Sequence, residues 1–219
     1  MWIAELWRYP VKSMAGERLE RAELGANGIA GDRVVLVRDA RGHIVTARAR
    51  PRLLAHRAVI GPGREPLVDG RPWDAPEVAG DVEAAAGVGS RLVRADGPGR
   101  FDVAPLLVAT DGAIAAFGYD GRRLRPNLVV GGAAGLAERA WEGRLLRAGA
   151  TIIALHDLRQ RCIMTTFDPD TLEQDNEILL SIHRRFGGSL ALNASVVSVG
   201  ELAVGDPIEL VEPGDAAQR

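Results

Sequence analysis

Short alternating or apolar runs dominate the first part of the chain and predict strands. In residues 2–9 the apolar Trp2, Ala4 and Leu6 alternate with the polar Glu5 and Arg8, which predicts a strand. The predicted strands are residues 2–9, 18–24, 34–37 and 43–47. Tight turns separate them, so a small β-meander within a barrel-like or closed sheet is expected.

The middle of the chain is rich in turns. Residues 61–81 hold many prolines and glycines and predict a loop-rich crossing, after which Asp81 caps a short helix to Ala86. A strand at residues 91–95 leads to Asp96-Gly97-Pro98-Gly99, the best candidate for a domain boundary.

The second half mixes strands with two helices. Thr110 is predicted to cap a helix to about residue 117, and helical spacing of Ile178, Ile182 and Phe186 predicts a packing helix over residues 173–186. The remaining predicted strands are residues 105–109, 128–130, 141–148, 151–156, 190–199 and 207–211. The fold class is therefore α+β and strand-rich.

Composition and charge narrow the class of protein. With 219 residues the chain is long enough for one large or two small domains. A net charge of −2 argues against a nucleic-acid-binding protein, and no apolar run is long enough to cross a bilayer. A single cysteine fits a reducing compartment, so a cytoplasmic protein that binds no membrane is expected.

Residues 161–171 (Arg161-Cys162-Ile163-Met164-Thr165-Thr166-Phe167-Asp168-Pro169-Asp170-Thr171) hold that only cysteine. Cys162 is either a small buried hydrophobe or a reactive or metal-binding sulfur, and the neighbouring Arg161 favours a thiolate if its charge points at the sulfur. Thr165 and Thr166 add hydroxyls just before a turn. The pattern predicts a strand that ends in a polar corner with the sulfur at its rim.

This stretch closely resembles the cysteine motif of the MOSC domain, in the branch of the mitochondrial amidoxime-reducing component and its bacterial relatives. Further landmarks of that branch follow in the same order, namely Tyr9-Pro10-Val11-Lys12-Ser13, Gly31-Asp32-Arg33, Arg125-Pro126-Asn127 and Val204-Gly205-Asp206-Pro207. The resemblance implies a shortened N-terminal β-subdomain (1–95), a MOSC-type β-barrel domain (96–213) and a tail (214–219). It also implies a molybdenum cofactor of the molybdopterin form, with Cys162 as the protein ligand to the metal.

The resemblance and the residue types together suggest the residues that hold the cofactor. Lys12 is the only lysine beside 26 arginines, and a compact cation suits a phosphate or pterin oxygen. Arg48 could pair with a phosphate, whereas Arg122 and Arg123 are expected to face solvent. Thr110 lies either at an anion-binding helix N-terminus or in a plain helix cap. The predicted cofactor-binding residues are Lys12, Ser13, Arg33, Arg48, Thr110, Arg125, Asn127, Arg161, Thr165 and Thr166.

Two positions depart from the family pattern. The family commonly has serine at the position of Ala113 and glycine at that of Leu172. The first change removes a polar contact, and the second raises the question of whether the turn after Thr171 keeps its geometry.

The implied activity is oxygen-atom transfer from a small N-hydroxylated substrate, with a separate reductase as electron donor. Two alternatives stay open: a persulfide carrier on Cys162, and a module that binds or delivers the cofactor without turnover. The four histidines show no metal-ligand spacing, and one cysteine cannot hold an iron–sulfur cluster.

Overall fold

A computed structural model describes residues 1–95 and 97–214. It confirms a strand-rich α+β protein, with three α-helices among the described residues. The helices are α1 (Pro76–Ala86), α2 (Asp111–Phe117) and α3 (Asn176–Phe186). The strands are β1 (Trp2–Arg8), β2 (Glu17–Leu19), β3 (Arg21–Gly25), β4 (Gly28–Ile29), β5 (Val35–Arg38), β6 (Ile44–Val45), β7 (Ala58–Ile60), β8 (Pro66–Val68), β9 (Arg71–Pro72), β10 (Arg91–Arg94), β11 (Leu106–Thr110), β12 (Leu128–Gly131), β13 (Leu145–Ala148), β14 (Thr151–Gln160), β15 (Ser189–Ser198), β16 (Gly200–Ala203) and β17 (Glu209–Val211).

An eight-stranded sheet organises the molecule. Its order is β17-β13-β14-β15-β11-β12-β1-β2, and all neighbours are antiparallel except β11 and β12. The backbone of Ile3 bonds Asp206 O at 2.9 Å and Gly205 N at 2.8 Å, and Trp2 bridges Pro207. These bonds bring β1 against the segment that leads into β17, so the beginning and end of the chain meet in one sheet.

Three smaller sheets of three strands each surround this one: β10-β5-β6, β16-β3-β4 and β7-β8-β9. The β16 strand pairs with β3 from Gly200↔Leu24 to Ala203↔Arg21, which ties the C-terminal part to the N-terminal part a second time. None of the helices in the described ranges has the length and apolar character needed to span a membrane.

The buried apolar residues form two large clusters and one small one. The first fills the inside of the large sheet and includes Ile3, Leu128 and Leu192. The second lies in the N-terminal part and includes Val11, Met14, Val35, Leu53 and Val82, with Met164 packed against it. The third packs α3 against Phe117 and Leu124. The strand β14 contributes Ile153 and Leu155 to the first cluster, and the segment after it places Met164 against the second. This segment therefore connects the two clusters.

Several elements differ from the sequence-based expectations. Helix α1 begins at Pro76 rather than near Asp81, because proline suits the first helical turn. Residues 61–81, expected to form loops, contribute β8 and β9 as well. The strand expected over residues 18–24 is divided at Glu20, since β2 pairs with β1 while β3 pairs with β16.

The expected domain division stays a prediction. Asp96, at the proposed boundary, and residues 215–219 of the proposed tail lie outside the described residues. Both β1 and β2 belong to the same sheet as β11, β12, β13, β14, β15 and β17.

Candidate functional site

Cys162 lies just after the end of β14, at a corner of the backbone. Arg161 N donates to Gly188 O at 2.9 Å, and Cys162 then caps a short 3-10 helix over Ile163–Thr166. The thiol is free and half-buried. The predicted arrangement, a strand that ends in a polar corner with the sulfur at its rim, is found in the structure.

Thr165 and Thr166 stabilise this corner. The Thr165 hydroxyl donates to Cys162 O at 2.9 Å, and the Thr166 hydroxyl donates to Ile163 O at 2.7 Å. Both residues are buried, and neither lines the cavity beside the thiol. Their hydroxyls therefore fix the backbone that carries Cys162, and they are not in contact with a ligand-sized space.

The cavity beside Cys162, called here the cysteine cavity, is strongly cationic. It has a volume of about 90 Å³. Asp102 is the one carboxylate among the described residues that line it. The cations that line it are Lys12, Arg33, Arg123, Arg125, Arg159 and Arg161. Six cations against one carboxylate create a positive potential suited to an anion.

Arg161 forms one wall of the cysteine cavity. Its Nη2 donates to Leu124 O at 2.7 Å, whereas its Nε is buried without a partner among the described residues. Burial lowers the pKa of Arg161 to about 10, and the neighbouring Cys162 acts in the opposite direction. The guanidinium stays charged at neutral pH, and its unused donor makes it a candidate ligand-binding group.

Arg125 is held in an uncommon backbone conformation. Its φ is 55°, its Nη2 donates to Met14 O at 2.8 Å, and its guanidinium lies over the Tyr9 ring. Burial lowers its pKa to about 10, and Tyr9 acts in the opposite direction. A left-handed arginine is strained, and such strain persists only where the surroundings fix the residue.

Asn127 and Arg33 meet around a buried carboxylate. Asn127 Nδ2 donates to Asp32 Oδ2 at 3.3 Å and to Trp7 O at 3.3 Å, and Arg33 pairs with the same Asp32 oxygen. Asp32 Oδ1 accepts from Tyr9 N at 2.7 Å. The Gly31-Asp32-Arg33 and Arg125-Pro126-Asn127 segments are thereby connected beside Cys162, although they are distant in sequence.

Lys12 and Ser13 enter the cavity from the segment after β1. The Lys12 side chain is 9% exposed, and its Nζ lies 2.7 Å from Asp102 and donates to Arg100 O at 2.9 Å. Arg48 and Arg159 contact the same carboxylate. Burial acts to raise the pKa of Asp102, but Lys12, Arg48 and Arg159 outweigh it and hold the pKa below its usual value.

Besides Thr165 and Thr166, two predicted cofactor-binding residues do not line the cysteine cavity, and one residue expected to face solvent does line it. Arg48 does not line it and reaches it only through Asp102. Thr110 is fully buried elsewhere: its hydroxyl donates to Glu138 at 3.1 Å and accepts from Ala113 N at 3.0 Å. These bonds make Thr110 a helix cap. Arg123, expected to face solvent, is only 9% exposed on its side chain and pairs with Asp168 at 2.8 Å, so that expectation is wrong.

Sequence reasoning missed several residues of the site, namely Asp102, Arg123, Arg159 and Asn193. The position of Arg159 could have indicated its place in the site, because it lies three residues before Cys162 on the strand that leads into the motif. Nothing in the sequence indicated Asp102, since an acidic residue is unexpected in an anion-binding cavity. In the ranges that the structure describes, no three His, Cys, Asp or Glu side chains cluster in a way that could hold a metal ion.

Comparisons with known proteins match nearly the whole chain. A model of the MOSC N-terminal beta barrel domain matches residues 1–111, and one of the MOSC domain matches residues 113–209. Mitochondrial amidoxime reducing component 2 from Macaca fascicularis and from Homo sapiens are each 27% identical over 94% of this chain and 82% of their own length. The crystal structure of the YUAD protein from Bacillus subtilis is similar in fold. It has a TM-score of 0.50 and 14% identity over 96% of this chain and 98% of that one.

Proposed function

The chain belongs to the MOSC family, and from that premise we propose that it is a molybdenum-cofactor-binding oxidoreductase that reduces N-hydroxylated compounds. One observation carries the proposal. The only cysteine of the chain lies on the wall of a cavity whose described lining residues are six cations and one carboxylate. A thiol beside an anion-binding surface is the combination that a metal on a phosphorylated pterin requires.

The chemistry of the donor set fits the cofactor. A soft thiolate suits molybdenum already bound to sulfur, and guanidinium groups suit a phosphate. Arg123 Nε and Arg161 Nε are buried donors without partners among the described residues, and both belong to residues that line the cavity. Buried donors of this kind are costly unless a ligand satisfies them.

Each residue would have a distinct part in holding the cofactor. Cys162 would bind the metal, while Lys12 and Arg159 would bind the phosphate that replaces Asp102. Arg125, Arg161 and Asn127 would hold the pterin edge, and Ser13 and Arg33 would complete the wall. Thr165 and Thr166 would position Cys162 by fixing the backbone of the corner. Arg48 would act indirectly, through its ion pair with Asp102. We place Thr110 outside this set.

The size of the cysteine cavity adds a requirement. Its volume of about 90 Å³ is far below the roughly 300 Å³ at which small-molecule pockets begin. The segment of residues 102–104 lines it, and Asp102 on that segment occupies the position between Lys12, Arg48 and Arg159. Entry of the cofactor therefore requires this segment to move outward and Asp102 to release its cations.

The reaction needs an external electron donor. Reduction of R–NHOH to R–NH₂ and water consumes two electrons and two protons. When bound, the cofactor would supply two-electron oxygen-atom transfer. With Cys162 assigned to the metal, the electrons come from a separate reductase, in accord with the name of the amidoxime reducing component relatives.

The test is metal and pterin content followed by activity. The wild type and Cys162→Ser, each produced in cells that make the cofactor, are compared by elemental analysis and pterin fluorescence, and then assayed with benzamidoxime and a chemical reductant. Near-stoichiometric molybdenum and amidine formation in the wild type only are expected. Absence of molybdenum and pterin from the wild type would contradict the proposal.

A second candidate is a persulfide carrier, and the half-buried free thiol among cations is the observation that favours it. Cations stabilise a persulfide anion as they do a thiolate. A mass increase of one sulfur atom on Cys162, in protein that holds no molybdenum, would select this function and exclude the reductase.

A further inference from the structure

A second and larger cavity lies next to the cysteine cavity. It has a volume of about 600 Å³, within the range of roughly 300–1,000 Å³ typical of small-molecule sites. We call it the tyrosine cavity, and it is lined among others by Tyr9, Leu54, Phe167, Leu172, Arg57 and Arg122. In contrast to the cysteine cavity, it needs no displacement of a segment to admit an organic molecule.

The two cavities share a wall. Arg123, Arg125 and Met164 line both. Met164 is two residues from Cys162, so a molecule in the tyrosine cavity lies beside the corner that carries the thiol. Arg123 also has a buried Nε without a partner among the described residues. A donor left unsatisfied at the shared wall points to a polar group of a ligand there.

The lining of the tyrosine cavity has an apolar side and a cationic side. Tyr9, Phe167, Leu54 and Leu172 offer aromatic and aliphatic surface, which favours a planar apolar body. On the cationic side, Arg57 is exposed, and its guanidinium has no ion-pair partner among the described residues.

Arg122 differs from Arg57 because its charge is already balanced. It is held by Asp120 at 2.7 Å and by Asp170 at 2.6 Å. Arg57 is therefore an exposed cation that is available to a ligand. A guanidinium at the edge of an apolar cavity selects a carboxylate, which it can bind through two parallel hydrogen bonds.

We propose that the tyrosine cavity is the substrate site, and that it selects aromatic N-hydroxylated compounds that carry a carboxylate. The apolar side binds the ring, Arg57 binds the carboxylate, and the N-hydroxyl end lies toward Arg123 and Met164 at the shared wall. The assignment of the N-hydroxyl group rests on the proposed function. The cavity and its preference for a carboxylated aromatic compound rest on geometry and charge alone.

The experiment measures binding, so that it does not depend on turnover. Isothermal titration compares 4-carboxybenzamidoxime with uncharged benzamidoxime. The proteins are the wild type, Arg57→Ala and the control Arg52→Ala. Arg52 is an exposed arginine of the same segment that does not line the cavity. A third variant, Ala55→Trp, fills the cavity from an exposed position on its lining.

The wild type is expected to bind the carboxylated compound about tenfold more tightly than benzamidoxime, since a charged hydrogen bond contributes on that order. Arg57→Ala should remove the preference, and Arg52→Ala should keep it. Ala55→Trp should weaken the binding of both compounds. Equal binding of the two compounds by the wild type, or an unchanged preference in Arg57→Ala, would overturn the proposal.

The outcome separates this inference from the proposed function. If the preference depends on Arg57 but neither the wild type nor any variant reduces an amidoxime, the proposed binding site is supported and the proposed reductase activity is contradicted. If the wild type reduces both compounds with equal KM, the proposed reductase activity is supported and the proposed carboxylate selectivity of the site is contradicted.

Discussion

The guanidinium carbon of Arg125 lies 4.2 Å from the centre of the Tyr9 ring. Tyr9 is buried, and its hydroxyl donates to Pro126 O at 3.1 Å, directly after Arg125 in the chain. Burial raises the pKa of Tyr9 to about 12, so the ring stays neutral and presents its π face to the cation. The tyrosine of the N-terminal motif thus supports the arginine of the Arg125-Pro126-Asn127 motif.

Replacement of Tyr9 should therefore weaken the fold and the site together. Tyr9→Leu removes the cation–π contact and the hydroxyl, and we expect a loss of about 2–3 kcal/mol in the free energy of unfolding, measured in urea. Tyr9→Phe keeps the ring and should lose about 1 kcal/mol. Tyr119→Leu is the control, because Tyr119 is 39% exposed and lies outside both cavities. A loss in Tyr9→Leu no larger than in Tyr119→Leu would show that the ring does not support Arg125.

Neutralising Asp102 should increase affinity for anions. Asp102→Asn frees Lys12, Arg48 and Arg159 from their shared carboxylate, and we expect inorganic phosphate to bind about tenfold more tightly, as measured by calorimetry at low salt. Asp81→Asn, which breaks the exposed pair with Arg71, should leave phosphate binding unchanged. The same affinity in wild type and Asp102→Asn would mean that Asp102 does not compete with an anion.

Acid should remove the stabilising effect of the same carboxylate. The pKa of Asp102 is lower in the folded protein than in the unfolded chain, so its contribution is complete above the unfolded pKa of about 4 and is lost as the pH falls through the lower folded value. Urea unfolding of the wild type and Asp102→Asn, from about pH 6 down to about pH 3, should show a stability difference that shrinks with falling pH. A difference that stays constant over this range would rule out ion pairing as its cause.

Leu172 keeps the backbone geometry that the family usually gives to glycine. Its φ is 62°, where a leucine is strained by about 1 kcal/mol. Leu172→Gly and Leu172→Ala both remove the side chain, but only the first relieves this strain. Leu172→Gly should therefore be more stable than Leu172→Ala by about 1 kcal/mol in urea. If alanine proves as stable as glycine there, the turn has changed its conformation.

The sequence predicted most of what depends on local pattern. The strand that leads into Cys162, the cap at Thr110 and the end of α3 at Phe186 were all predictable, since each follows from periodicity or from one capping residue. Of the ten predicted cofactor-binding residues, Lys12, Ser13, Arg33, Arg125, Asn127 and Arg161 line the cysteine cavity beside Cys162. These motif residues lie together because the motif reflects the position of the backbone around the thiol, and their role in binding a cofactor stays a prediction.

The rest depends on contacts between distant segments. Asp102 meets Lys12 and Arg159 only because the fold brings three separate segments together, and no local pattern marks such a meeting. Arg123 was expected at the surface beside Arg122. Its side chain is instead mostly buried and forms an ion pair with Asp168, which lies on the turn after Cys162. The tyrosine cavity is a space between elements, which a linear pattern does not describe.

The place of β1 in the sheet also determines when the site can exist. The strand is synthesised well before two of its hydrogen-bonding partners, residues 128–131 and 205–208. At typical synthesis rates these last partners emerge roughly 10–40 s later. A nascent chain therefore carries Lys12 without Cys162 in place beside it, and insertion of the proposed cofactor would have to follow synthesis of both segments.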